Sequence, residues 1–358
     1  MLELDDYLRH AAELKASDLF IRANAVPASR VHGRIRNLDF PMLDGEESRR
    51  LAYSKMSGRQ IEEFERHHEM DLAFTLPGVS RIRTSVYMQK GTVASVNRLI
   101  PLDIMSLDQL GMPPTLAEFT KSRNGLVLVT GPTGCGKSTT LAAMIDLINS
   151  SRRVNIVCIE DPIEYVHNDK MAIISQREIG IDTDSFQEAL KRVLRQAPDV
   201  IMIGEMRDIE TMNVALQAAE TGHLVFATVH TASASETLDR LSNMFAPHER
   251  PMLWLRLSVS LRGVVSQKLL PRSDGKGRVA ALEVMVVTPT IAKMLEEGKS
   301  EDIYSQIRQA GTETYWGMQT MNQCLVKYVR AGVITSEEAM SNAGNYTELR
   351  QMLHRREH

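Results

Sequence analysis

Cysteine is scarce, with three in 358 residues. Cys135, Cys158 and Cys324 lie far apart, which excludes a CxxC zinc clamp and an intrachain disulfide framework. Cys135 falls in a glycine-rich loop and Cys158 in an apolar run, a usage that suits a reducing compartment. Long hydrophobic runs are missing as well: none approaches the ~20 residues of a membrane span. The opening MLELDDYLRH has neither a basic stretch nor an apolar core, so no secretory signal is expected. Excess positive charge is absent, with 42 Lys and Arg against 45 Asp and Glu for a net charge of -3. A strongly basic nucleic-acid surface is therefore not the default, and no basic–aromatic stripe replaces it. There is no low-complexity tract and no internal repeat. What is there is 43% hydrophobic residues in a chain long enough for two domains.

Residues 1–100 read as a small α+β domain. DDYLRHAAEL places Tyr7, Leu8, Ala11, Ala12 and Leu14 on one helical face. SDLFIRA reads as a strand, RVHGRIRNLDF as a hairpin turning at His32-Gly33, and EESRRLAYSKMSGRQIEEFERHHEMD as one helical stretch. RIRTSVYMQKGTVASVNRLI reads as two strands joined around Lys90-Gly91. The prolines of PLDIMSLDQLGMPPT break the periodic pattern, so the interdomain connection is placed at 101–117. From 118 to 358 the pattern is α/β. The apolar strands GLVLVT, RVNIVCIED, DVIMIGE and LVFATVHT alternate with helices. Such alternation implies a mostly parallel sheet whose ligand edge lies at the strand C-termini.

GPTGCGKST, Gly131-Pro132-Thr133-Gly134-Cys135-Gly136-Lys137-Ser138-Thr139, fits the phosphate loop G-x-x-x-x-G-K-[ST] between a strand and a helix. The glycines let backbone N–H groups approach phosphate oxygens, and the helix aims its positive end at the anion. Lys137 is expected to reach the β- and γ-phosphates of ATP and Ser138 to hold Mg2+. DVIMIGE ends in Glu205, the best candidate for the second carboxylate near the metal, usually acting through water. IEDPIEY sets Glu160, Asp161 and Glu164 after another strand. Either one of the three polarises the attacking water or all are merely solvated. His223 and His230 stand at the two ends of LVFATV, structural or catalytic by spacing alone, with His230 at the ligand edge. Arg81, Arg83 and Arg98 form either a solvated basic strand face or guanidinium contacts to a γ-phosphate.

Together GPTGCGKSTTLAAMID, IEDPIEY, QREIGIDTDSFQEALKRVLRQAPDVIMIGEMRD, ETGHLVFATVHT and GMQTMNQCL resemble the type IV pilus retraction ATPases of the PilT/PilU family, from about Ser17 to Glu348. The resemblance implies a PAS-like N-terminal domain followed by a RecA-like ATPase domain with a helical C-terminal part. It implies a cytoplasmic homohexamer, peripheral to the inner membrane, that hydrolyses ATP with Mg2+ to retract pili and drive twitching motility. Its partners would be an inner-membrane platform protein and a paralogous retraction ATPase, with no nucleic acid and with membrane contact only through partners. By position, Glu164 matches the family's catalytic glutamate, Glu205 its Walker B glutamate, and His223 and His230 its His box. Arg83 and Arg98 match arginines that contact the nucleotide phosphates. One departure bears on primary against accessory retraction. The family's AIRNLIRE-like segment reads TIAKMLEEGK here, with Lys293 at the first arginine position and Glu296 and Glu297 around the second.

Two other readings stand beside this one. A pilus-assembly or type II secretion ATPase commonly adds a tetracysteine insert and a further N-terminal domain, which three scattered cysteines and ~100 N-terminal residues disfavour. A RecA-like nucleic-acid motor is disfavoured by the acidic balance.

Overall fold

The computed structural model describes residues 2–31, 33–101, 103–311 and 316–354. The chain forms two compact units, one of Met1–Asp103 with Glu164–Val166, the other of Ile104–Ile163 and His167–His358.

The first unit contains α1 (Leu4–Glu13), β1 (Ala16–Ile21), β2 (Ala28–Val31), β3 (Arg34–Asn37), α2 (Gly45–Tyr53), α3 (Gly58–His67), β4 (Glu69–Leu76), β5 (Ser80–Gln89) and β6 (Thr92–Pro101). Its sheet is antiparallel throughout, in the order β3-β2-β1-β6-β5-β4. Helix α1 buries Leu4, Tyr7, Leu8 and Ala11, while Leu14, expected on that face, is exposed at the C-cap. The β2–β3 hairpin pairs Val31 with Arg34, so its two-residue loop falls where expected, with Gly33 at φ 80° and His32 outside the described residues. The single helical stretch expected over 46–71 is two helices and the start of a strand. Ser57 accepts from the Gln60 N–H and Gln60 bonds back, a reciprocal cap that starts a new helix. His68 then ends α3 in the left-handed region at φ 65°, and β4 begins at Glu69.

The second unit runs α4 (Pro114–Lys121), β7 (Gly125–Thr130), α5 (Lys137–Ser151), β8 (Asn155–Glu160), β9 (Ile173–Glu178), α6 (Phe186–Val193), β10 (Val200–Ile203), α7 (Ile209–Glu220), β11 (Leu224–Val229), α8 (Ala234–Met244), α9 (Arg250–Ser260), β12 (Leu261–Pro271) and β13 (Arg278–Val286). Among the described residues five α-helices follow: α10 (Pro289–Glu296), α11 (Ile303–Ala310), α12 (Met321–Arg330), α13 (Ser336–Ser341) and α14 (Tyr346–His354). The seven-stranded sheet has the order β13-β12-β7-β11-β10-β8-β9. All neighbours are parallel except the edge strand β13.

Strands β7, β10 and β11 are buried along their whole length, as parallel strands covered on both faces must be. Alternation sends Leu126, Leu128, Val225 and Ala227 against α6–α9, and Val127, Val129, Leu224 and Phe226 against α4 and α5. Helix α5 buries Leu141, Met144, Ile145 and Ile148, the face its spacing predicts. Residues 104–117 lie in the second unit: Leu107 and Met112 join Leu116 and Phe119 of α4 in the core beneath β7.

Candidate active site

The phosphate loop links the C-terminal end of β7 to the start of α5. Three glycines shape it in the left-handed region, Gly131 at φ 143°, Gly134 at φ 79° and Gly136 at φ 92°. Their surroundings differ. A Cβ on Gly131 would meet the Gln267 carbonyl oxygen at 2.4 Å and the Cys135 sulfur at 2.5 Å, and one on Gly136 would meet Gln267 Nε2 at 2.8 Å. A Cβ on Gly134 would meet nothing within 4 Å, so the loop is packed at Gly131 and Gly136 and open at Gly134. Gly131→Ala is therefore expected to destabilise the second unit by about 1–3 kcal/mol and Gly134→Ala by about 1 kcal/mol. The midpoint of urea unfolding measures the difference.

Buried Gln267, on β12, clamps this loop. Its Nε2 donates to the Cys135 carbonyl at 2.6 Å, and its Oε1 accepts from Thr140 Oγ1 of α5 at 2.8 Å. Sequence reasoning missed Gln267. The one available signal was an amide inside the apolar run LRGVVSQKLLP.

Lys137 is 8% exposed and donates to the carbonyls of Gly131 at 2.9 Å and Pro132 at 3.1 Å. Its Nζ also lies 3.5 Å from His230 Nδ1. An ammonium only donates, so Nδ1 is the acceptor and the ring proton sits on Nε2. That nitrogen is 3.3 Å from Glu205 Oε1. The Glu205 carboxylate also accepts from Arg207 Nε at 2.6 Å. Burial pushes the Glu205 carboxyl up, but the Arg207 hydrogen bond and the neighbourhood of His230 outweigh it and hold it below the usual carboxylate range. It stays an acceptor at neutral pH. Lys137, His230 and Glu205 thus come from three separate strand ends to one edge of the sheet, where a parallel α/β sheet binds its ligand. Arg207 is the second residue that sequence reasoning missed.

The full-length comparisons agree with this architecture. The model of the type II/IV secretion system protein family matches residues 3–340. The chain is 43% identical to the type IV pilus retraction ATPase PilT of Pseudomonas aeruginosa, over 96% of this chain and 98% of that one. It is 40% identical to the type IV pilus ATPase PilU of the same organism, over 98% and 91%. The chain belongs to the PilT/PilU branch of the type II/IV secretion system protein family. A crystal structure of the pilus retraction motor PilT with bound ADP superposes with a TM-score of 0.92 at 43% identity, covering 98% of this chain and all of that one. The fold class follows: a RecA-like α/β ATPase domain preceded by a smaller α+β domain of PAS-like type.

The other expected site residues of this family member are dispersed. His223 stands at the N-terminal end of β11, opposite the phosphate loop, where its Nδ1 lies 2.9 Å from the Ala218 carbonyl and 3.3 Å from Thr221 Oγ1. The second unit does not bring it to Lys137. Glu160, at the end of β8, is buried and accepts from Gln176 Nε2 at 2.9 Å. Glu164, in the loop after β8, is half-buried. In the first unit, Arg83 and Arg98 are cross-strand neighbours on β5 and β6. Arg98 Nε donates to buried Asp18 at 3.0 Å, and Arg30 shares that carboxylate at 3.2 Å. Among the described residues no group of three or more His, Cys, Asp or Glu is placed to hold a metal ion, and no helix is long and apolar enough to cross a membrane.

Proposed function

We propose that this chain is the ATP-hydrolysing subunit of a homohexameric motor that withdraws type IV pili, acting at the cytoplasmic face of the inner membrane. An inner-membrane platform protein and a paralogous retraction ATPase are its partners. The observation that carries the motor reading is the contact chain Lys137–His230–Glu205, which ties the phosphate loop to two further strand ends. The pilus reading rests on near-full-length identity to both PilT and PilU.

The residue roles follow from position. Loop N–H groups between Gly131 and Thr139 and the N-terminus of α5 cradle the phosphates. Lys137 exchanges its loop carbonyls for phosphate oxygens. Hydrogen-bonded on both ring nitrogens, His230 reports that exchange to Glu205. Glu164 orients and deprotonates the attacking water. Arg83 and Arg98 keep the phosphate-contacting role that their position in the family gives them. A magnesium ion that keeps most of its water would be held by Ser138 directly and by Glu205 through water, and bound there it would neutralise phosphate charge.

Deleting the gene in its host tests the reading. Excess surface pili with loss of twitching are expected for a primary retraction motor, and unchanged piliation with weakened retraction for an accessory one. Loss of surface pili would favour the assembly-ATPase alternative. Strong stimulation of turnover by single-stranded DNA at physiological salt would favour a nucleic-acid motor.

A further inference from the structure

Glu283 is a carboxylate inside the core of the second unit. It lies on β13 and is 3% exposed. Its Oε1 accepts from the Ala234 N–H at 2.8 Å, and the Met321 N–H acts on the same carboxylate electrostatically. Ala234 is the first residue of α8 and Met321 the first residue of α12. One side chain therefore satisfies an orphan amide at the start of α8 and faces the N-terminus of α12, where the helix field favours negative charge. Burial raises the carboxyl, and the two amides and Lys268 oppose that.

The segment that Glu283 holds on one side is the segment that carries His230. Between His230 and α8 the backbone is fixed at every step. Arg240 donates to the His230 carbonyl at 2.9 Å, Thr231 and Thr237 share a hydrogen bond of 2.7 Å, and Glu236 accepts from the Ala232 N–H at 2.9 Å. These contacts tie His230 to the first turns of α8. On the other side, Asn322 of α12 donates to Glu348 of α14 at 2.9 Å, and Tyr304 of α11 donates to the same carboxylate oxygen. Ser266, directly opposite Glu283 on β12, accepts from Thr130 Oγ1 at the end of β7, so the row also reaches the residue before the phosphate loop.

We propose that Glu283 is a positioning residue for ATP hydrolysis, fixing the His230–α8 segment and making the start of α12 respond to the state of the phosphate site. The inference rests on the reading of His230 given above. It connects turnover to the C-terminal helices through an element that both ends share.

The test uses the full-length chain and the Glu283→Gln variant. Glutamine keeps the size, but its NH2 group meets a helix N–H donor to donor. We expect kcat to fall by about 10-fold or more while KM for ATP stays within about threefold, because the phosphate loop and its Gln267 clamp are untouched. A purely structural role would not predict the second readout. Addition of the non-hydrolysable analogue AMP-PNP should change amide hydrogen exchange at the start of both α8 and α12 in the wild-type chain, and at α8 alone in Glu283→Gln. Wild-type α12 amides indifferent to AMP-PNP while α8 responds would overturn the proposal without any variant, even if Glu283→Gln does not fold. His230→Ala separates the two layers. Normal turnover in His230→Ala sinks the reading of His230 itself. Impaired turnover there, with wild-type kinetics in Glu283→Gln, sinks only the role of Glu283.

Discussion

Lys137→Ala is expected to lose ATP turnover by at least 10²–10³-fold, because one preorganised donor aimed at developing phosphate charge is worth that much. The environment of Lys137 argues for the upper part of that range. The side chain is buried and its ammonium already has its partners in place, two loop carbonyls and the His230 ring. Alanine removes the charge and also leaves His230 Nδ1 without its donor, so the contact to Glu205 loses its fixed tautomer. Lys137→Arg should not rescue, since a planar fork does not reproduce a point charge threaded between two carbonyls. Phosphate release measures turnover, and titration with a fluorescent ATP analogue measures affinity. Turnover within about threefold of wild type would remove Lys137 from the site.

Glu164→Gln separates binding from chemistry. The amide keeps the shape of the side chain but cannot take a proton from water. Turnover should fall by about 10²–10⁴-fold with nucleotide affinity nearly unchanged. The neighbouring carboxylates make the comparison informative. Glu160 is buried and engaged by Gln176, and Glu205 is engaged by Arg207 and His230. Asp161 is exposed. Single-turnover hydrolysis by Glu164→Gln and Glu160→Gln decides between them. Near-normal hydrolysis in the first with loss in the second would move the general base to Glu160.

What the sequence makes legible here is what is local. The phosphate loop and the apolar strands depend on residues a few positions apart, and they appear where spacing puts them. His230 and Glu205 were found because each ends an apolar strand. Gln267 and Glu283 were missed for one physical reason: a polar residue acquires its meaning from partners that only the sheet order supplies. Arg207 is different, since its partner Glu205 is two residues away and only the turn after β10 brings the two side chains together. Gln267 and Glu283 interrupt apolar strands of 11 and 9 residues, a mark of buried polar work whose partner the sequence does not name. The helix expected over 46–71 erred in the opposite direction, because overall polarity and periodicity hid a strong local cap at Ser57.

The clamp by Gln267 also bears on how the chain is made. Gln267 follows the loop residue it holds by 132 positions. At ribosomal speed, ~5–20 residues per second, that separation lasts on the order of 10 s. Through that interval the newborn chain carries a complete phosphate-loop sequence, with β7 lacking the neighbour that β12 provides. A truncated product ending before β12 would hold the whole motif without the clamp, so a fragment that keeps this loop clamped extends through β12, far past the motif that advertises it.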